Sequence, residues 1–156
     1  MGRLLFTTVC LVVATSSAGA AGQPDPLAEA RSLYNQRNFE AAVSAAERAR
    51  LIPTNADRAD LIAARAYLER FRERDAADDL TNARLRLARL DPRRFTPRER
   101  IELIVGLGEA LYLDQSYGAA ANLFASALDA VDGPTPDARE RVLDWWATAL
   151  DRVAQP

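Results

Sequence analysis

The chain has no histidine and no lysine, and its single cysteine stands at position 10. Without histidine it lacks the commonest general base and the commonest metal ligand. Beyond Cys10 it offers no thiolate nucleophile and cannot form an internal disulfide. Glycine is scarce, at 7 of 156 residues, and no glycine-rich phosphate loop is present. Sustained two-residue alternation of apolar and polar positions is missing and β-branched residues are sparse, which argues against strands. No run approaches the roughly 18 apolar residues that a membrane-spanning helix needs. All twenty basic residues are arginine; a GC-rich coding sequence is the first reading of that bias, bidentate recognition the second. The net charge of −2 gives no general reason to expect nucleic acid or an acidic membrane as partner. What is present, 49 % apolar and 27 % charged residues in 156, suffices for one domain with a real core.

The first residues read as a targeting segment rather than as fold. Arg3 supplies a positive start, Leu4 to Val13 is a short apolar run, and Ala18-Gly19-Ala20 has the small-x-small form that signal peptidases accept. Cleavage is expected after Ala20, with Ala21 as the near alternative; an uncleaved N-terminal anchor is the other reading. Val9 before Cys10 and the early position of that cysteine argue against lipoprotein acylation. The expected organisation is a signal peptide at 1–20, a short linker at 21–25 and a helical domain at 26–154. Export to a bacterial periplasm or exterior suits a mature chain without cysteine, and no membrane span is expected after cleavage.

Helix punctuation is dense along the rest. Asp25-Pro26, Thr96-Pro97 and Thr135-Pro136 each place a capping side chain before a proline at the first helical position. Glu99 completes a capping box with Thr96. Pro53 and Pro92 follow helix ends. Between these marks the apolar spacing predicts seven helices, at roughly 26–36, 39–51, 56–72, 77–90, 97–114, 117–131 and 136–153. Stripes such as Phe39, Ala42, Ala46, Ala49 and Ala120, Phe124, Ala127, Leu128 give each helix one buried side. Short links make neighbours antiparallel.

Ala30, Ala64 and Gly108 open the same pattern, the first two 34 residues apart. Ile104, Leu107, Gly108, Leu111, Tyr117, Ala120, Phe124 and Ala127 closely resemble the tetratricopeptide repeat (TPR) pattern. Ala30, Leu33, Phe39, Ala42, Ala46 and Ala49, with Pro53 after them, follow the same spacing. Physically, Ala30, Ala64 and Gly108 are small where a partner helix crosses closely, and Phe39 and Tyr117 fill the wedge near the turn. Asn38 and Ser116 stand where each can cap the second helix of its pair. The middle pair departs from the pattern, since Ala64 to Gly108 is 44 residues. About four extra residues are expected in the turn after Phe71 and about six after Pro92. Arg84 falls at a position that normally takes an apolar residue. The resemblance covers roughly residues 24–131. It implies an all-α fold, an α-solenoid of three TPR-like helix pairs with a C-terminal capping helix at 136–153. In that last helix Val142, Trp145, Trp146, Ala149, Leu150 and Val153 are the apolar positions. One tryptophan is expected in the core and the other either as an exposed contact or covered by further chain.

The resemblance further implies a concave face lined by the first helix of each pair. Carried over by position, it would present Arg31, Tyr34 and Asn35; then Arg58, Leu61, Arg65, Leu68 and Glu69; then Glu102, Val105, Glu109, Tyr112 and Leu113. Exposed tyrosine and arginine are good anchors for a partner, although Leu61 and Val105 also read as ordinary packing. The carboxylate-gripping set of some family members is not reproduced by Leu27, Arg31, Ile62, Glu102 and Gly106. Asp75, Asp78 and Asp79 form an acidic turn, read as capping and dipole compensation of the fourth helix rather than as a cation site. Arg93, Arg94, Arg98 and Arg100 make a basic loop around Phe95. Residues 65–100 carry eleven arginines against seven acids; residues 101–156 carry three against nine. Local pairing, for example Glu69 with Arg72 or Arg74, accounts for that asymmetry more simply than steering of a partner.

The expected function is an exported scaffold that binds a protein or peptide through its concave face, with no catalysis, cofactor, metal or nucleic acid. The alternatives are an accessory helical domain of a cell-envelope system, such as peptidoglycan processing or assembly, and a structural subunit that self-associates through the Trp145–Trp146 helix.

Overall fold

The computed structural model describes residues 25–130 and 136–155. The signal-peptide expectation, Thr135 as a cap and the expected end of the sixth helix at 131 lie outside those residues. Among the described residues there is no strand. Seven α-helices follow one another: α1 (Pro26–Asn35), α2 (Phe39–Arg50), α3 (Ala56–Arg74), α4 (Ala77–Leu87), α5 (Pro97–Leu113), α6 (Tyr117–Leu128) and α7 (Pro136–Ala154). Short 3₁₀ turns at Pro53–Asn55 and Pro92–Arg94 lead into α3 and α5.

The starts are set by local chemistry. The Asp25 side chain accepts from the Leu27 amide and Asn38 from the Ala41 amide, 3.1 and 3.4 Å away. At α5 the Thr96 hydroxyl accepts from the Glu99 amide while Glu99 accepts from the Thr96 amide, the reciprocal capping box. Ser116, expected to cap α6, makes no side-chain cap bond. The acidic turn does not cap α4 either. Ala76 is the N-cap residue, Asp75 closes α3 in the left-handed region, and Asp79 instead pairs with Arg70 at 3.2 Å.

Two hairpins close in the same way. After α1, Arg37 takes φ 62° and the Asn38 amide donates to the Leu33 carbonyl; after α5, Gln115 takes φ 61° and the Ser116 amide donates to the Leu111 carbonyl. This is the C-terminal stop that glycine usually occupies, because a Cβ in left-handed backbone costs about 1–2 kcal/mol. Arg37→Gly and Gln115→Gly are therefore expected to raise the unfolding free energy by about 0.5–1 kcal/mol each, offset slightly by the looser unfolded chain. Urea denaturation of each variant checks this, and a loss would contradict it. In the middle pair the extra residues do not lengthen the turn. They add about one turn to α3, which runs through Arg74, the added residues Arg72 to Arg74 being exposed.

Packing follows the chain. Each helix lies against its sequence neighbour, with α4 and α5 the lightest contact, and Phe95 from the link joining those two packs into the core beside Leu87 and Leu103. In addition α1 touches α3, α3 touches α5, and α5 touches α7. The core is alanine-rich at the closest crossings: Ala30, Ala42, Ala45, Ala49, Ala59, Ala63, Ala64 and Ala66 are fully buried. Phe124, Leu61, Leu68 and Leu103 are the largest fully buried side chains. At Gly108 a methyl group would stand 2.6 Å from the Phe124 ring, so this position is small because α6 crosses it.

Candidate functional site

The contacts of α1 with α3, α3 with α5 and α5 with α7 bring the expected binding residues onto one run of helices. In its N-terminal half, the Arg65 guanidinium lies over the Tyr34 ring, 4.7 Å from the centroid. Its Nη1 is 3.2 Å from Glu102 Oε2. Arg31 reaches Glu102 at 3.5 Å and Glu99 at 3.6 Å, and Arg58 donates to Glu99 at 2.9 Å. Thus two glutamates of α5 tie down arginines from α1 and α3. A small recess opens among Arg31, Tyr34, Asn35, Ile62, Arg65, Arg98 and Glu102.

The protonation states follow from burial and these partners. Burial pushes the Tyr34 phenol up to about 12, against the opposing charge of Arg65, so it stays neutral and can donate. Burial also pushes Glu99 up, but hydrogen bonds from Thr96 and the charge and hydrogen bond of Arg58 outweigh it and hold the carboxyl below its usual range. Glu99 is therefore a fixed anion that serves both the α5 cap and the α1–α3 arginines.

The C-terminal half is more aromatic. Tyr112 meets Tyr117 and Trp145 edge-on, with centroids 5.1 and 5.0 Å away, and Trp145 stacks on Phe124 at 6.0 Å. Tyr34 and Phe39 make the matching contact in the first hairpin, at 5.7 Å. Arg72 lies 4.9 Å over the Trp145 ring and pairs with Glu69 at 2.9 Å. Arg74, the other expected partner of Glu69, pairs with Glu40 of α2 instead, at 3.3 Å. Glu109 is only 6 % exposed and its Oε2 has no hydrogen-bond partner. Burial pushes its carboxyl up to about 7, the Arg65 charge lowers it in part, and Glu69 adds to the rise.

Not every expected residue faces the surface. Leu68 is fully buried and packs with Leu61, Leu87, Phe95 and Leu103; Leu61 and Val105 are also buried. Leu68 occupies in α3 the position that Tyr34 and Tyr112 hold in α1 and α5. In α3 that position is core because Leu87, Phe95 and Leu103 pack around it. Trp145 and Trp146 are both half-buried, so α7 does not divide them into one core and one exposed residue. Arg98 and Ile62 line the recess although they were outside the expected set. For Arg98 a signal existed in its four-residue spacing from Glu102, where the two lie 3.7 Å apart.

Among the described residues no group of three or more potential ligands is placed to hold a metal ion, and no helix is long and apolar enough to cross a membrane. No protein-family model, curated protein or solved structure matches this chain. Chemically, the arrangement offers guanidinium and phenol donors, paired carboxylates and aromatic edges, a set suited to holding a polar segment by hydrogen bonds and stacking.

Proposed function

We propose that this chain is an exported TPR-like α-solenoid of three helix pairs closed by α7, and that it binds a protein or peptide along α1, α3 and α5 without catalysing a reaction. The observation that carries this reading is the run of contacts joining α1, α3, α5 and α7, with the recess and Tyr112 on that same run. The shared closing geometry of the first and third hairpins supports it, as do the equivalent pairs Tyr34–Phe39 and Tyr112–Tyr117. Helix pairs of this kind shield one another's apolar sides and leave an extended surface for a partner. The signal-like start supports export.

The test is affinity capture from a cell-envelope extract. Tyr34 is unsuitable for substitution because it is pinned under Arg65. Asn35 and Arg98 are exposed and line the recess, so Asn35→Glu with Arg98→Glu changes the face without touching the core. Arg89→Glu, exposed in the turn after α4, is the control. A partner captured by the native chain and by the control, with retention falling about tenfold in the double variant, is the expected result. Identical capture by all three contradicts the assigned face.

A further inference from the structure

The recess on the α1–α3–α5 face holds more guanidinium than its carboxylates satisfy. Arg31, Arg65 and Arg98 converge on one acid, Glu102. Only Arg65 reaches it at ordinary hydrogen-bond length, 3.2 Å; Arg31 stands at 3.5 Å and Arg98 at 3.7 Å, so both keep N–H groups for a closer acceptor. Arg65 Nε is buried with no hydrogen-bond partner. Beside Arg31, Glu99 already accepts from Arg58 at 2.9 Å and from the Thr96 amide and hydroxyl. Two carboxylates thus serve four arginines. The other acids that act on Arg65 do not close the gap. Glu69 pairs with Arg72 at 2.9 Å, and burial pushes the Glu109 carboxyl up to about 7, so much of it is neutral at that pH.

That surplus identifies the ligand. A lysine or arginine of a partner finds no free carboxylate here, because Glu99 and Glu102 are each held by two or more guanidiniums. A carboxylate fits, since its two oxygens match the planar forks of Arg31 and Arg98. The exposed Asn35 amide adds a neutral donor at the mouth. The walls are apolar: Ile62 is buried, and the Tyr34 ring lies under Arg65. A short aliphatic stem packs against them while its charged head bonds the arginines, which an acidic side chain provides and a bare anion does not. We infer that the recess takes the side-chain carboxylate of a glutamate or aspartate from an acidic segment of the partner. The site lies on the face proposed above and rests on that reading.

The experiment titrates the full chain into short labelled peptides and follows fluorescence anisotropy. Three probes are amidated at the C-terminus and differ only in carrying glutamate, glutamine or lysine at alternate positions of a serine–glycine background. A fourth is the glutamine probe with a free terminal carboxylate. The glutamate probe is expected to bind about tenfold more tightly than the amidated glutamine probe, with the gap narrowing as salt is raised, and the lysine probe is expected not to bind. Arg98→Glu is expected to remove most of that preference. Arg89→Glu, the same change of charge outside the recess, is expected to leave it within about twofold. Equal affinity for the glutamate and glutamine probes overturns the inference. An equal loss in both variants overturns it in favour of overall charge, and binding seen only with the free terminal carboxylate overturns it in favour of a chain end. If the glutamate preference is missing while envelope capture still falls with Asn35→Glu and Arg98→Glu, the face stands and its acidic ligand does not; if both are missing, the face falls as well.

Discussion

Replacing Phe124 with alanine lowers the unfolding free energy by about 3–5 kcal/mol, the range for emptying a fully buried aromatic site. Phe124 is the largest fully buried side chain, stacked against Trp145 and laid over Gly108. It joins α5, α6 and α7, so the cavity left behind has rigid walls on three sides. Gly108→Ala tests the same crossing from the other side. In an unconstrained helix that change gains about 1 kcal/mol. Here the added methyl would lie 2.6 Å from Phe124 Cε1 and 3.0 Å from two further ring carbons, and the ring has nowhere to go. The net expectation is a loss of about 1–3 kcal/mol. In a Phe124→Leu background that loss shrinks, because the two residues share one space and their effects do not add. Urea melts of the four variants check the cycle. A stabilising Gly108→Ala would mean that α5 and α6 do not cross as described.

Glu109→Gln is expected to change how stability depends on pH. The Glu109 carboxyl is pushed up to about 7 by burial in the folded chain, from 4.5 for an exposed glutamate. The folded state therefore holds a proton that the unfolded chain has released between those two values. Stability from this group is fully present below pH 4.5 and is lost as pH rises towards 7. At 1.36 kcal/mol per pH unit the loss is at most about 3 kcal/mol, and less where Arg65, Arg72 and Arg141 relax towards the anion. Glu99 acts with the opposite sign. Its carboxyl is held low, so its contribution is present above pH 4.5 and lost as pH falls below that. Native protein should thus melt at lower urea at pH 8 than at pH 5. Glu109→Gln should remove most of that difference and be the more stable of the two at pH 8. An unchanged pH slope in the variant contradicts the assignment to Glu109.

Helix starts were legible in the sequence because their signals are local. Asp25, Asn38 and Thr96 need only their own next few amides, and the structure satisfies them. The small residues Ala30, Ala64 and Gly108 were legible as close crossings because volume at a crossing is set by one neighbour. What escaped depends on distant partners. Ser116 has the residue type of a cap but makes no cap bond, although Asn38 in the equivalent turn does. Asp79 left the acidic turn for Arg70, a partner nine residues back on another helix. Leu68 looked like a surface residue by repeat position and is core because Leu87, Phe95 and Leu103, distant in sequence, close over it. Most of the recess was legible: Arg31, Tyr34, Asn35, Arg65 and Glu102 were expected together and Arg98 is tied to Glu102 by its spacing, whereas Ile62 enters only once α1, α3 and α5 are placed.

The central claim is that α1, α3, α5 and α7 lie in succession along one run, each touching the next. Nuclear Overhauser contacts from the tyrosine rings test it most directly. The account predicts cross-peaks from Tyr34 to the Arg65 side chain and from Tyr112 to the Trp145 ring, whose groups lie 4.7 and 5.0 Å apart. It is contradicted if Tyr34 instead reports on Trp145, which would fold the first and last helices against each other.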